Sequence, residues 1–181
     1  ALFLSKNQTP VRSHAEQFTS PAHKLTYLSR HMAKEQMGAL YATMLICLIK
    51  PQTQSIVFSN AGHCKPFIIR SKSDFVEDVS PEMGIPLGLF EPTGEEYTDQ
   101  TIELIPGDGL LIYSDGYSDL VNADRERFGI ERIKQSLEKL TDLNAKATVD
   151  HIFAGIDQFR GKSPLEDDIT VVYIKSEHHQ I

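Results

Sequence analysis

The chain reads as an α+β protein in which antiparallel sheets carry helices on their outer faces. Strand-like segments follow one another through its middle without the strict strand–helix alternation of a parallel sheet. Amphipathic helical segments stand near its two ends. Its 181 residues, 40% hydrophobic and 24% charged, match one ordinary globular domain with room for a sizeable core.

Taken in order, Ala1-Leu2-Phe3-Leu4 is apolar, and the polar run from Ser5 to Ser20 lacks periodicity and predicts a loop. Ser20-Pro21 pairs a capping residue with a proline suited to the first helical position. Leu25, Leu28 and Met32 follow at spacings of three and four, which predicts an amphipathic helix from Pro21 to about Met37, closed by Gly38. Tyr41 to Ile49 is a dense apolar strand. Pro51-Gln52-Thr53-Gln54 is a turn, and Ser55 to Asn60 is the return strand of a hairpin. Phe67 to Arg70 is a further strand. The stretch 80–100 reads as an ordered loop, with Gly84 and Gly88 expected at positive φ. Thr101 to Leu104 is a short strand and Pro106-Gly107-Asp108-Gly109 a turn. Gly109 to Tyr113 is an apolar strand that runs into Ser114-Asp115-Gly116. Ile130, Ile133, Leu137 and Leu140 predict a helix from Gly129 to about Leu140. Val149, Ile152, Phe153 and Ile156 predict another from Thr148 to Phe159. Ile169 to Ile174 is the final strand. The expected organisation is one domain over residues 1–175 and a polar tail over 176–181.

Composition narrows the function. With 18 basic and 25 acidic residues the formal charge is −7, which opposes binding to a phosphate backbone and leaves room for a cation site. No apolar run approaches the roughly 18–20 residues of a membrane span, and nothing at the start has the pattern of a signal peptide. A cytoplasmic protein is expected. Cys47 and Cys64 are expected as reduced core thiols rather than a disulfide. No Cys-x-x-Cys pair points to structural zinc, and no Gly-x-Ser-x-Gly elbow points to a serine hydrolase. His14, His23 and His31 read as surface residues, and His178-His179 as part of the tail.

Two acidic positions stand out. Asp115 lies where an apolar strand ends in a Ser-Asp-Gly turn, and Asp167 and Asp168 precede another apolar strand. Carboxylates at neighbouring strand ends are held rigidly and point into one rim, which suits the oxygen-only coordination of Mg²⁺ or Mn²⁺. Gly116 would let the backbone pass close to an ion. The same residues read equally well as a turn aspartate and a solvated acidic loop.

Six segments in order carry a resemblance. They are Asn60-Ala61-Gly62-His63, Gly84-Ile85-Pro86-Leu87-Gly88-Leu89, Leu104-Ile105-Pro106-Gly107-Asp108, Tyr113-Ser114-Asp115-Gly116, Phe128-Gly129 and Asp167-Asp168-Ile169-Thr170. Together they resemble the bacterial metal-dependent serine/threonine phosphatases of the PPM (type 2C) superfamily, in the SpoIIE/RsbU-like branch. The resemblance implies an α-β-β-α sandwich of two antiparallel sheets and a Mn²⁺ or Mg²⁺ centre at one end of it. It implies Asp115 and Asp167 as metal ligands, with Gly116 in the same turn. Asp168 stands where relatives often carry Asn and is implied to support the ligands, as is His63, which reads otherwise as a structural histidine bonding to backbone. The implied activity is hydrolysis of phosphoserine or phosphothreonine on a regulatory protein by a metal-activated water. A STAS-type anti-anti-sigma factor in bacterial partner switching is the implied substrate, with an upstream sensor domain as a further partner. No phosphocysteine intermediate is expected, and a cysteine-dependent mechanism is set aside on the reading that the sequence has no Cys-x5-Arg motif.

The family's two upstream acidic motifs are absent from the sequence, and residues 1–5 look like part of its first helix. The expectation is therefore an N-terminally incomplete domain that lacks the first strands and holds half of a two-metal site. Sheet edges left open that way would favour a homodimer. The rival expectation is an inactive phosphatase-fold module that binds a signalling partner.

Overall fold

In the computed structural model the described residues are 19–34, 41–73, 75–79, 84–138, 140 and 144–177. The apolar start, His14, Gly38 and His178-His179 lie outside them. They form two antiparallel sheets with flanking helices, the α+β class expected, and the chain divides into two units. The first comprises residues 1–63 and 80–103, the second 64–79 and 104–181.

In the first unit, α1 spans Pro21–Lys34. Ser20 Oγ accepts from His23 N at 3.1 Å, and Asp99 Oδ1 accepts from Ala22 N at 2.7 Å, so two of the helix's orphan donors are satisfied. Leu25, Leu28 and Met32 are buried as their spacing predicts, against Ala61, Leu87 and Tyr97. Burial of that kind stabilises by roughly 1.5–3 kcal/mol per side chain. The strands β1 (Met44–Lys50) and β2 (Ser55–Ala61) pair along their full length, from Met44↔Ala61 to Lys50↔Ser55. A 3-10 turn over Pro51–Thr53 joins them, with Gln54 in the left-handed region at φ 48°. The third strand of this sheet, β5 (Gln100–Glu103), pairs with β2.

The second unit holds a four-stranded sheet. It consists of β3 (Phe67–Ile69), β4 (Val76–Asp78), β6 (Gly109–Tyr113) and β7 (Val171–Lys175), in the order β4-β3-β6-β7. Its helices are the single turn α2 (Asp115–Ser118), α3 (Gly129–Leu137) and α4 (Ala145–Arg160). The core joins Phe67, Leu111 and Tyr113 of the sheet to Tyr117, Phe128, Ile133, Ile152 and Ile156. Aromatic rings run through it: Phe67 stacks on Tyr113, Tyr113 meets Tyr117 edge-on, and Tyr117 and Phe128 follow at 5.1 Å.

The Pro106-Gly107-Asp108 turn is built around a charge. Asp108 is fully buried and accepts from Arg70 Nη1 at 2.8 Å and from Ser71 N at 2.9 Å. Its own carbonyl accepts from Ser176 N at 2.9 Å, so the turn ties β3, β6 and the end of β7 together. A buried carboxylate is tolerable only when paired and hydrogen-bonded in this way.

Several expectations shift. α3 ends at Leu137 rather than about Leu140, although Leu140 remains buried and its N–H bonds to the Leu137 carbonyl. α4 starts three residues before the predicted Thr148, because Asn144 caps it by accepting from Ala147 N at 2.9 Å. The final strand starts at Val171, since Ile169 and Thr170 belong to the loop before it. Gly88 has the positive φ expected, at 77°, but Gly84 does not. Gly84 is needed for space instead: a Cβ there would stand 2.5 Å from the Glu96 carbonyl and 2.9 Å from that of Asn60. Cys47 and Cys64 are free thiols, as expected, but each is only half-buried. No helix among the described residues is long and apolar enough to cross a membrane.

Candidate metal site and cleft of the second unit

The site starts from one strand pair. β6 and β7 run antiparallel with Tyr113 opposite Val171. The next residues extend the pairing by a different means. Ser114 N donates to the Thr170 carbonyl at 3.0 Å, Thr170 N donates to Ser114 Oγ at 2.9 Å, and that hydroxyl donates to the Asp168 carbonyl at 3.2 Å. Ser114 thus uses its hydroxyl as donor and acceptor, and it pins the 168–170 backbone beside the start of α2. Asp115, the first residue of α2, is exposed at this end of the pair, and so are Asp167 and Asp168.

Gly116 is where the two segments meet. A Cβ at this position would run into the Asp168 carbonyl oxygen, so only glycine lets the loop approach α2 so closely. Its role in the structure is close packing of the two acidic segments. Asp167 Oδ1 accepts from Asp168 N at 2.8 Å, which orients the carboxylate. His63 belongs to the first unit, whereas Asp115 and Asp167 belong to the second. Its N–H donates to Asn60 Oδ1 at 2.7 Å, its carbonyl accepts from Asn60 Nδ2 at 2.9 Å, and its ring Nδ1 lies 3.3 Å from Thr43 Oγ1.

A cleft of about 330 Å³ opens beside these residues, lined by Gly116 and Asp167 together with Asp119, Arg127, Leu165 and Glu166. Three of its lining side chains are acidic and one is basic. Burial first, then Asp115 and Asp119, push the Cys64 thiol up from its ordinary range. Asp119, Arg127 and Glu166 escaped the sequence reading. A polar turn of the composition Asn122-Ala123-Asp124-Arg125-Glu126 between two apolar segments was the signal available, since such a turn folds the chain back on itself.

The donor set fits a hard cation in kind. Two carboxylates stand on a rigid strand-pair end, with oxygen donors only. It does not fit in number: among the described residues, no three His, Cys, Asp or Glu side chains gather closely enough to hold a metal ion.

The cysteine-dependent alternative needs a correction. Cys64 and Arg70 do stand at the Cys-x5-Arg spacing that such phosphatases use, so spacing does not exclude that chemistry. The structure argues against it on three counts. Residues 67–69 between them form β3 rather than a phosphate-cradling loop. Arg70 is engaged by Asp108 and, at 3.0 Å, by Glu77. The Cys64 thiol is shifted away from the thiolate a nucleophile requires.

Solved structures share this fold. The RsbU and RsbW domains of Rv1364c from Mycobacterium tuberculosis align with a TM-score of 0.75 and 18% identity, covering 98% of this chain and 48% of that one. The SiaA-PP2C domain of Pseudomonas aeruginosa aligns with a TM-score of 0.74 and 18% identity, covering 87% and 61%. The manganese-presoaked phosphatase domain of the cell fate determinant SpoIIE from Bacillus subtilis aligns with a TM-score of 0.59 and 22% identity, covering 77% and 58%. The fold is therefore that of PP2C-type phosphatase domains. Among curated proteins, Protein IcfG of Synechocystis sp. is 25% identical over 143 residues, which is 75% of this chain and 21% of IcfG. The chain spans less than two thirds of the length of each of these relatives. The profile of Stage II sporulation protein E (SpoIIE) matches residues 1–177, and the chain belongs to that family.

Proposed function

We propose that residues 1–175 belong to a metal-dependent serine/threonine phosphatase domain, acting in the cytoplasm on a phosphorylated regulatory protein. A STAS-type anti-anti-sigma factor in a partner-switching pathway is the substrate this reading favours, with an upstream sensor domain as its regulator. One observation carries it: Ser114 and Gly116 hold the Asp115 and Asp167 segments together at the end of the β6–β7 pair. Asp115 and Asp167 would hold Mn²⁺ or Mg²⁺, with Asp168 as a supporting residue. Bound there, the cation would supply an activated water and charge neutralisation for phosphoryl transfer. The SpoIIE family membership and the manganese-presoaked SpoIIE relative support the choice of ion.

The test is phosphate release from a phosphorylated STAS protein by the full-length protein that contains this chain, with and without Mn²⁺. Release that depends on Mn²⁺, and that falls to the metal-free level in Asp115→Asn and Asp167→Asn, is expected. No release with the metal bound would sink the reading. A second reading, a phosphatase-fold module that binds a partner without turnover, draws on the absence of a three-residue ligand group among the described residues. It predicts metal-independent partner binding and no turnover at any Mn²⁺ concentration.

A further inference from the structure

The turn beside the cleft has a fixed backbone and, in Arg127, a loosely held cation. Val121 and Arg127 form an antiparallel bridge. Asn122 Oδ1 accepts from Asp124 N at 3.0 Å and from Glu126 N at 2.9 Å, while Asn122 N donates to the Glu126 carbonyl at 3.0 Å. Phe128, the next residue, is buried and donates its N–H to the Leu120 carbonyl at 2.8 Å. These bonds hold Arg125 at φ 62°, in the left-handed region that non-glycine residues rarely adopt. The Cα of Arg127 is therefore set by the turn at both of its flanks.

The guanidinium of Arg127 is a different case. Its side chain is 68% exposed, and its one ion pair among the described residues is to Asp119 at 3.7 Å, itself 54% exposed. Such a pair is worth little in water and exchanges readily. The neighbouring Arg132 shows the contrast. It donates to the Arg127 and Phe128 carbonyls, pairs with Glu126 and covers the Phe159 ring at 5.0 Å, so it is spent on structure. Arg127 lines the cleft with Asp119, Glu166 and Asp167, and it is the basic residue in that lining. A phosphate monoester entering this acidic cleft carries two negative charges. It needs a cationic partner, and a planar guanidinium can grip two phosphoryl oxygens at once.

We propose that Arg127 seats the substrate's phosphoryl group at the mouth of the cleft, exchanging its contact with Asp119 for two phosphoryl oxygens. The inference rests on the phosphatase reading for its substrate class. It assigns a substrate-binding role to a residue outside the candidate metal ligands.

The test uses the full-length protein in Mn²⁺ and a short peptide carrying a non-hydrolysable phosphonate analogue of phosphoserine, with the serine peptide as its twin. Isothermal titration gives both affinities. In Arg127→Ala the phosphonate peptide is expected to bind about tenfold more weakly, with the serine peptide unchanged. Arg127→Lys, which keeps the charge but not the fork, is expected to recover part of the loss. Circular dichroism of each variant confirms that the fold is kept. Equal phosphonate affinity in wild type and Arg127→Ala overturns the proposal. So does an equal loss for both peptides, or a wild type that does not prefer the phosphonate. Turnover of the phosphoserine peptide is measured separately: selective phosphonate binding without turnover would sink the phosphatase reading and leave the Arg127 assignment standing.

Discussion

At the residue scale, hydrogen bonds alone can set the protonation of a carboxylate. Glu96 is the clearest case. Thr93 Oγ1 donates to its Oε1 at 2.6 Å, Gly94 N donates to Oε2 at 2.9 Å, and Thr93 N donates to Oε1 at 2.6 Å. The Thr93 hydroxyl first, then the two backbone donors, lower its carboxyl from 4.5 to about 2. The sign follows directly. A carboxyl lowered by folding contributes stability that is fully present above its unfolded value and is lost as pH falls towards the folded one. An NMR titration of the Glu96 side chain is expected to give a midpoint near 2, with the 93–96 turn loosening between pH 4.5 and that value. A midpoint at the ordinary glutamate value would mean that the three bonds do not persist in solution.

At the scale of elements, caps and turns decide where the regular structure begins. Asn144 has φ −71° and ψ 168°, outside the helical region, and its side chain accepts from Ala147 N. Asn144→Ala is expected to cost about 1 kcal/mol in urea denaturation and to fray the first turn of α4. A loss below a few tenths would show that solvent satisfies the turn equally well. The same residue explains part of what the sequence reading missed. Apolar periodicity places the stripe of α4 at Val149, Ile152, Phe153 and Ile156, of which Phe153 is exposed, and a stripe starts where burial starts, not where the helix does. β6 was legible to the residue, because a glycine turn and Ser114-Asp115-Gly116 bracket an unbroken apolar run. β4 was not, because three residues with two exposed acids, Glu77 and Asp78, carry no alternation to read. The Asp115 and Asp167 segments stand far apart in the sequence. Their approach depends on the β6–β7 register and on the missing side chain of Gly116, which spacing in the sequence does not encode. Arg127 was illegible for a related reason: its place is set by a turn whose bonds close only once the fold exists.

At the scale of the whole molecule, both units are discontinuous in sequence. The chain leaves the first unit after His63, returns to it at residue 80, and leaves it again after Glu103. Neither unit is therefore a segment that can be cut out. A fragment of residues 104–181 would keep β6 and β7 but lose β3, the other neighbour of β6, and with it the ring of Phe67 stacked on Tyr113. That fragment is expected to lose the near-ultraviolet circular dichroism of its tyrosines and to melt without a cooperative transition. A well-dispersed NMR spectrum from it would contradict the strand order described above.

The strand order β4-β3-β6-β7 also bears on how the protein is made. A ribosome delivers the β3–β4 hairpin before the residues of β6 exist. Phe67, Ile68 and Ile69, each 1% exposed in the finished sheet, have one partner strand on emergence and no second. At ~5–20 residues per second the wait lasts seconds, long enough for a chaperone, or another nascent chain, to reach that open edge before β6 does.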